Sequence, residues 1–344
     1  MKNIAKAVEI SRPLLWLNTS MPLLWGLLAT RGALQPSDLA LFAFFLFPYN
    51  YFLHAPNDYF DFETDARNPR KGGVEGALTP KPLLAKHAIV CTLLLLPFLA
   101  FTATQFPPLT LASLGLPLIL SAAYNAPPTR LKGRPILDSL TNVLYAIPLQ
   151  VGIHAAGGSD LIAPHVLVFA AWGIGAHALT TITDRDEDAA AGVHTIAVLL
   201  GRRNTALFAA AWFVLVGLGA ASIAGSPLAF AVALPYLSLS LIGRDATGEA
   251  GRRLYRLFLI TNVLIGASIT MLVLLQVPFK SAVAAGAVAI VGTLIALGAS
   301  VGRSALRAAK ERDHQEARCC CRRRPRRPCQ RNPSRRRWCP RHRH

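Results

Sequence analysis

The sequence predicts an all-α, multi-span transmembrane helix bundle with a central cavity, on three observations. Hydrophobic residues are 53% of the 344 and gather in long runs, while charged residues are 16% and fall between the runs, as expected of a chain whose solvent is lipid. Proline and glycine stand where one run gives way to the next, at Pro36, Pro107, Pro108, Gly157, Gly158, Pro227 and Pro278, and mark tight turns. Two acidic stretches each begin where an apolar run ends, the part of a membrane helix where charge costs least.

The elements follow in order. Residues 1–11 lack the apolar centre and small-residue cleavage site of a signal peptide, so residues 14–28 form the first span. Residues 39–53 form the second and lead straight into the first acidic stretch; 85–106 and 109–123 are parted by Pro107 and Pro108. Residues 137–155 carry Asn142 inside an apolar run, 161–182 end on the second acidic stretch, and 205–224, 228–242 and 257–277 complete nine spans. Residues 281–301 supply a tenth. Several spans hold internal Pro or Gly, tolerable where neighbouring helices cover the freed backbone. All spans belong to one domain, residues 1–303, with a separate tail at 304–344.

Basic residues set the orientation. Arg67, Arg70, Lys71, Lys81 and Lys86, then Arg130, Lys132 and Arg134, then Arg185, Arg202 and Arg203, then Arg244, Arg252, Arg253 and Arg256 fall on one side. The other side has little beyond Arg31 and Lys280, so the basic side is cytoplasmic in an inner (plasma) membrane. Both acidic stretches and both termini then lie inside.

The first acidic stretch, NDYFDFETDARNPRKGGVEG at 57–76, carries the chemistry. Asp58, Asp61 and Asp65 are three and four apart, which puts them on one face of a helix, with Glu63 on another. Converging carboxylates without His or Cys make a hard oxygen site suited to Mg2+ and a phosphate. Arg67, Arg70 and Lys71 beside Gly72 and Gly73 add anion partners and room for close backbone approach. The competing reading is a solvated loop whose charges pair with one another. The second stretch, TDRDEDAAAGVHTIAVLLGRR, repeats the pattern, with Asp184 and Asp188 at i, i+4 and Asp186 turned away. Two such helix ends favour a two-sided metal cage.

Other polar residues bear on the same cavity. Pro127 and Pro128 stop a helix before YNAPPTRLKGR, whose Arg130, Lys132 and Arg134 alternate on an extended segment on the carboxylate side. They serve either a diphosphate or membrane headgroups. Tyr124 could turn its ring face to a cation or serve as an interfacial anchor. Asn18, Asn142 and Asn262 interrupt apolar runs and face the bundle interior. His177 reads as a satisfied buried imidazole, and His54 and His194 lack ligand-like spacing.

The tail differs in kind. From Arg318 it holds twelve Arg, no acid and no aliphatic residue, and these account for twelve of the formal +18 charges. Overall basicity is therefore no argument for a nucleic-acid enzyme. Five of six cysteines also lie there, without zinc-ligand spacing. Such an end reads as disordered or as translation in a shifted frame.

The paired motifs NDYFDFETD and DRDED resemble those of intramembrane prenyltransferases of the UbiA superfamily. SRPLLWLNTSMP at 11–22, the segment 48–81 with its NPRKGGVEG, YNAPPTRLKGRPILDSLTN at 124–142 and YRLFLITNVLIGASIT at 255–270 are most similar to bacterial lycopene elongases. DRDED is equally similar to the hydroxybenzoate-prenylating branch, and Ala189 stands where an Arg often follows. The resemblance implies a magnesium-dependent enzyme. Asp58, Asp61, Asp65, Asp184 and Asp188 would hold the metal, and Asn18, Asn57, Arg67, Lys71, Tyr124, Arg130 and Lys132 would bind an allylic diphosphate donor. It further implies lycopene as a lipophilic acceptor and dimethylallyl diphosphate as donor, in C50-type carotenoid synthesis. An aromatic or quinone-precursor acceptor is the alternative within that class. A divalent-cation transporter or lipid-binding protein is the alternative outside it, disfavoured because the carboxylates cluster at two helix ends on one side.

Overall fold

A computed structural model describes residues 2–65 and 79–323, with side-chain surroundings for residues 3–63 and 79–301. Arg67 and Lys71, with Arg70, Gly72 and Gly73, lie outside the described residues, as does the side chain of Asp65. Among the described residues every regular element is a helix. Met1–Ser300 form one compact unit and Val301–His344 a second.

Among the described residues seven stretches are long and apolar enough to cross a membrane. They are α3 with α4 (Asp38–Leu46 and Pro48–Phe60), α6 (Lys81–Gln105), α7 (Pro108–Asn125), α10 (Pro164–Ala190), α11 (Ile196–Ala224), α13 (Gly248–Leu275) and the Phe279–Val301 part of α14 (Phe279–Arg323). A short α1 (Lys2–Ile10) precedes them, and a four-residue α5 (Phe62–Asp65) follows α4. The remaining three expected spans are shorter or broken. Residues 14–28 become a 3-10 turn and the 15-residue α2 (Leu17–Arg31). Residues 137–155 divide into α8 (Leu137–Leu140), a 3-10 turn (Thr141–Tyr145) and α9 (Ile147–Ala155). Residues 228–242 divide into a 3-10 segment (Pro227–Ala233) and α12 (Leu234–Gly243).

The break points have a physical logic. Irregular backbone survives at membrane depth only where protein covers it, and α2 and α9 are covered: Thr19 to Leu28 are buried, as is every residue of α9. The two cross at Gly26 and Gly152. A Cβ on Gly26 would stand 2.3 Å from the Leu149 carbonyl oxygen, and one on Gly152 would stand 2.3 Å from that of Leu23. Small residues thus let the two backbones touch. The outer helices do the opposite: α13 exposes Ile260, Val263, Leu264, Met271, Leu272 and Leu275. In water that would be an aggregation surface; in lipid it is the surface required.

The apolar core falls into two clusters. The larger joins α2, α3, α4, α6, α7 and α9 around Phe44, Phe45 and Tyr49, whose rings meet at 4.8–5.9 Å. The smaller gathers α10, α11, α12 and α13 around Phe213 and Tyr236, stacked at 5.0 Å. Elements from both clusters line the central cavity.

Candidate active site

The site starts where α4 stops. Its last turn carries Asn57 and Asp58, and Asp61 caps it with φ −97° and ψ 0° before α5 begins. The helical spacing that groups Asp58, Asp61 and Asp65 therefore does not run through unbroken, a correction to the single-face expectation. Asp is a poor helix-interior residue, and here the Asp61 carboxylate is engaged outside its helix. It pairs with Lys132 and lies 3.5 Å from Arg130 Nη2. The amide of Asn57 meets Asn125 at 2.9 Å, and lies 3.3 Å from Asp61 and 3.2 Å from Lys132.

Asp58 is 3% exposed and accepts a hydrogen bond from Arg12 Nη2 at 2.9 Å. Sequence reasoning gave Arg12 no part in the site. Its backbone has φ 55° and ψ 73°, although the residue precedes Pro13. A left-handed conformation is costly for a side-chain-bearing residue, and one before proline is pushed towards extended backbone. The conformation persists because it is tied at both ends, by Ser11 receiving the Trp16 indole N–H and by the Asp58 pair.

The Arg130 to Arg134 segment is not extended, as its alternation suggested, but turns at a 3-10 element, Leu131–Gly133. That turn brings Lys132 back onto Asp61, while Arg134 donates to the Pro128 carbonyl oxygen at 3.4 Å. Burial first, and then the nearby Arg12, push the Lys132 ammonium down to about 7, with Asp58 and Asp188 pulling the other way. Lys132 is thus under the influence of both acidic motifs.

On α10, Asp184 accepts from Thr183 Oγ1 at 2.7 Å and Asp188 from Thr195 Oγ1 at 3.3 Å. Asp186 is exposed and pairs with Arg202 and Arg185. Glu63 is 73% exposed and pairs with Lys81 at 3.1 Å. Among the described residues no three His, Cys, Asp or Glu side chains converge closely enough to hold one metal ion. Arg12, Arg130 and Lys132 supply counter-charge to Asp58 and Asp61.

Beside these charges lies a cavity of about 280 Å³, lined by Arg12, Asn18 and Asn57 and by the aromatic rings of Tyr124, Tyr145 and Trp172. Its remaining polar groups are held in place. His177 lies between Tyr124 Oη, 3.2 Å from Nε2, and Ser139 Oγ, 3.1 Å from Nδ1. Asn142 donates to the Asp138 carbonyl oxygen at 2.8 Å, and Asn262 accepts from Tyr236 at 3.0 Å. Asp138, fully buried, accepts from the backbone N–H groups of Ser139 and Ile196 at 2.7 and 2.8 Å. Ser121 and Asn125 are shared with a second, apolar groove of about 570 Å³ between α4, α6 and α7, lined by Phe52, Phe60, Leu93 and Ala122.

Buried carboxylates and cations above an aromatic cavity can hold a diphosphate and shelter a carbocation. Comparison with known proteins fits that chemistry. The family model described as "UbiA prenyltransferase family" matches residues 19–259.

The chain belongs to the UbiA prenyltransferase family.

This prenyltransferase is 34% identical over 279 residues to the "C(50) beta-cyclic carotenoids biosynthesis protein LbtBC" of Dietzia sp., covering 78% of this chain and 64% of that one. The chain thus spans a little under two thirds of the length of that relative. It is 33% identical over 269 residues to a lycopene elongase/hydratase of Haloferax volcanii, covering 76% of this chain and 86% of that one. Among solved structures it is similar to a UbiA homolog from Archaeoglobus fulgidus. Bound to GPP and Mg2+, that protein gives a TM-score of 0.59 at 18% identity, covering 77% of this chain and 99% of that one. Bound to DMAPP and Mg2+ it gives 0.57 at 16% identity, covering 77% and 98%. The prenyltransferase is a multi-pass membrane protein with the helix bundle that the apolar runs predicted.

Proposed function

We propose that the prenyltransferase moves a dimethylallyl group from its diphosphate to lycopene, in the plasma membrane, with both acidic motifs facing the cytoplasm. One observation carries this reading: the charged cluster stands over a cavity too small for a forty-carbon acceptor, and that cavity shares Ser121 and Asn125 with an apolar groove. A long hydrocarbon can lie along the groove and present one end to the cavity, whereas a small aromatic acceptor has no use for it. The names of the Dietzia and Haloferax relatives support the same acceptor class, and the DMAPP-bound relative supports the donor.

The chain's own groups divide the work. Arg12, Arg130 and Lys132 bind the diphosphate oxygens, with Asn18 and Asn57 beside them and Asp58 orienting the Arg12 guanidinium. Arg67 and Lys71 join this set on sequence grounds. Tyr124, Tyr145 and Trp172 face the allylic cation left when the C–O bond to pyrophosphate breaks. The acceptor double bond then forms the new C–C bond. The all-oxygen donor set fits Mg2+, which Asp58, Asp61, Asp184 and Asp188 would hold together with Asp65. When bound, Mg2+ offsets the negative charge developing on pyrophosphate.

The deciding experiment offers lycopene and a hydroxybenzoate together to the full chain in lipid nanodiscs, with labelled dimethylallyl diphosphate and Mg2+. Label is expected in a C45 or C50 carotenoid, and EDTA is expected to abolish its transfer. Label in the aromatic product alone would overturn the acceptor assignment.

A further inference from the structure

Attack of an acceptor double bond on an allylic cation leaves positive charge on the acceptor, which is discharged when water adds or when a neighbouring C–H bond gives up its proton, and only the second returns an alkene or arene. Of the groups assigned to the diphosphate, Arg12 is a cation, Asp58 is paired with it, and Arg130 and Lys132 lie against Asp61 and do not line the cavity, so none of them is placed for that task. The cavity wall offers another. His177 lies on α10, three residues before Thr180 and seven before Asp184, so all three share a helix face. His177, Thr180 and Tyr124 line the cavity. The His177 ring contacts two neutral hydroxyls, Tyr124 Oη at 3.2 Å and Ser139 Oγ at 3.1 Å. An imidazole flanked in this way can take a proton at one nitrogen while the other donates outward. The backbone N–H of Ser139 is in turn fixed by the buried Asp138 carboxylate at 2.7 Å.

We infer that Tyr124 and His177 form the relay that accepts the acceptor's proton. The phenol oxygen of Tyr124 takes the proton from carbon as its own proton passes to His177 Nε2. The C–H electron pair becomes the new C=C bond, and the imidazolium donates from Nδ1 to Ser139 Oγ. No oxidant or reductant enters. This role rests on prenyl transfer and not on the choice of acceptor, because an aromatic acceptor must lose a proton too. The competing base in the cavity is His54, whose Nδ1 lies 2.7 Å from the Asn50 carbonyl oxygen of its own helix.

The test uses the full chain in nanodiscs, with whichever acceptor the wild type prenylates, and two readouts. One is prenylated product; the other is affinity for dimethylallyl thiolodiphosphate, a donor analogue that is not cleaved. His177→Gln and Tyr124→Phe are each expected to lower product about 100-fold, with analogue affinity within about twofold of wild type. Added imidazole should restore part of the activity of His177→Ala. Three results would overturn the relay. Product within about fivefold of wild type in both variants would leave the departing pyrophosphate as the base. Loss of analogue affinity matching the loss of product would reduce the pair to a structural role. A greater loss in His54→Gln than in His177→Gln would move the base to α4. Failure of the lycopene assignment shows separately, as unlabelled carotenoid with the wild type.

Discussion

Asp58 is buried against Arg12, whereas Asp184 accepts from the hydroxyl of its neighbour Thr183, so the two aspartates should fail differently when neutralised. Asp58→Asn and Asp184→Asn should each lower turnover per folded enzyme about 100-fold, the scale of a lost charge-stabilising group. Asp58→Asn should also lower stability by about 3 kcal/mol, because it leaves the Arg12 guanidinium facing a neutral partner. Glu63→Gln changes an exposed pair and should leave turnover within about twofold. Magnesium-dependent turnover and thermal stability in detergent, measured on the three variants, separate these outcomes; equal loss in all three would remove the metal-site assignment. At this scale the acidic motifs could be read directly, because their types and spacing name their chemistry. Arg12 could not: its partner lies 46 residues away, and nothing in Ser-Arg-Pro announces a left-handed backbone. His177 was visible as a residue but read as bland, since only the fold sets Tyr124 and Ser139 beside it.

Hydrophobic runs located the long helices well, because lipid-facing length leaves an unmistakable signal in composition. They failed where a helix is buried in protein and has no membrane thickness to match. α2, with 15 residues, and the divided 137–155 segment lie inside the bundle, and the breaks there are set by Asn142 and neighbouring contacts rather than by lipid. The Leu131–Gly133 turn was missed for a related reason: alternating charge resembles an extended segment until Asp61 draws Lys132 back. The apolar groove gives this scale its prediction. Ala122→Trp should fill the space between α4, α6 and α7 and raise the KM for a long carotenoid acceptor about tenfold, while the KM for the donor stays unchanged. Equal effects on both substrates would mean that the groove does not hold the acceptor.

For the whole molecule, everything proposed for chemistry lies before Ser300, within the first compact unit. Truncation after Arg303 should therefore leave turnover within about twofold, and loss of activity at normal membrane abundance would give the Arg- and Cys-rich tail a function. Thiol labelling of tail cysteines should occur from the cytoplasmic side, as the distribution of basic residues requires. Labelling from the opposite side would mean that one of the ten expected spans is wrong. Bundle and family were legible at this level from apolar runs and two motifs. The course of the chain through the cavity was not, because it depends on which short helices meet.

The contact between Gly26 and Gly152 bears on how this enzyme can be altered and repaired. Each glycine faces the other helix's backbone, so neither Gly26→Ala nor Gly152→Ala has a neighbouring side chain that can shrink to make room. Gly217 offers the contrast: a Cβ there would meet the Phe230 ring at 2.5 Å, and that ring can be trimmed. A selection for restored prenyl transfer should return second-site changes at Phe230 for Gly217→Ala. For Gly26→Ala it should return true revertants, which would make the α2–α9 crossing a position the lineage can neither lose nor exchange.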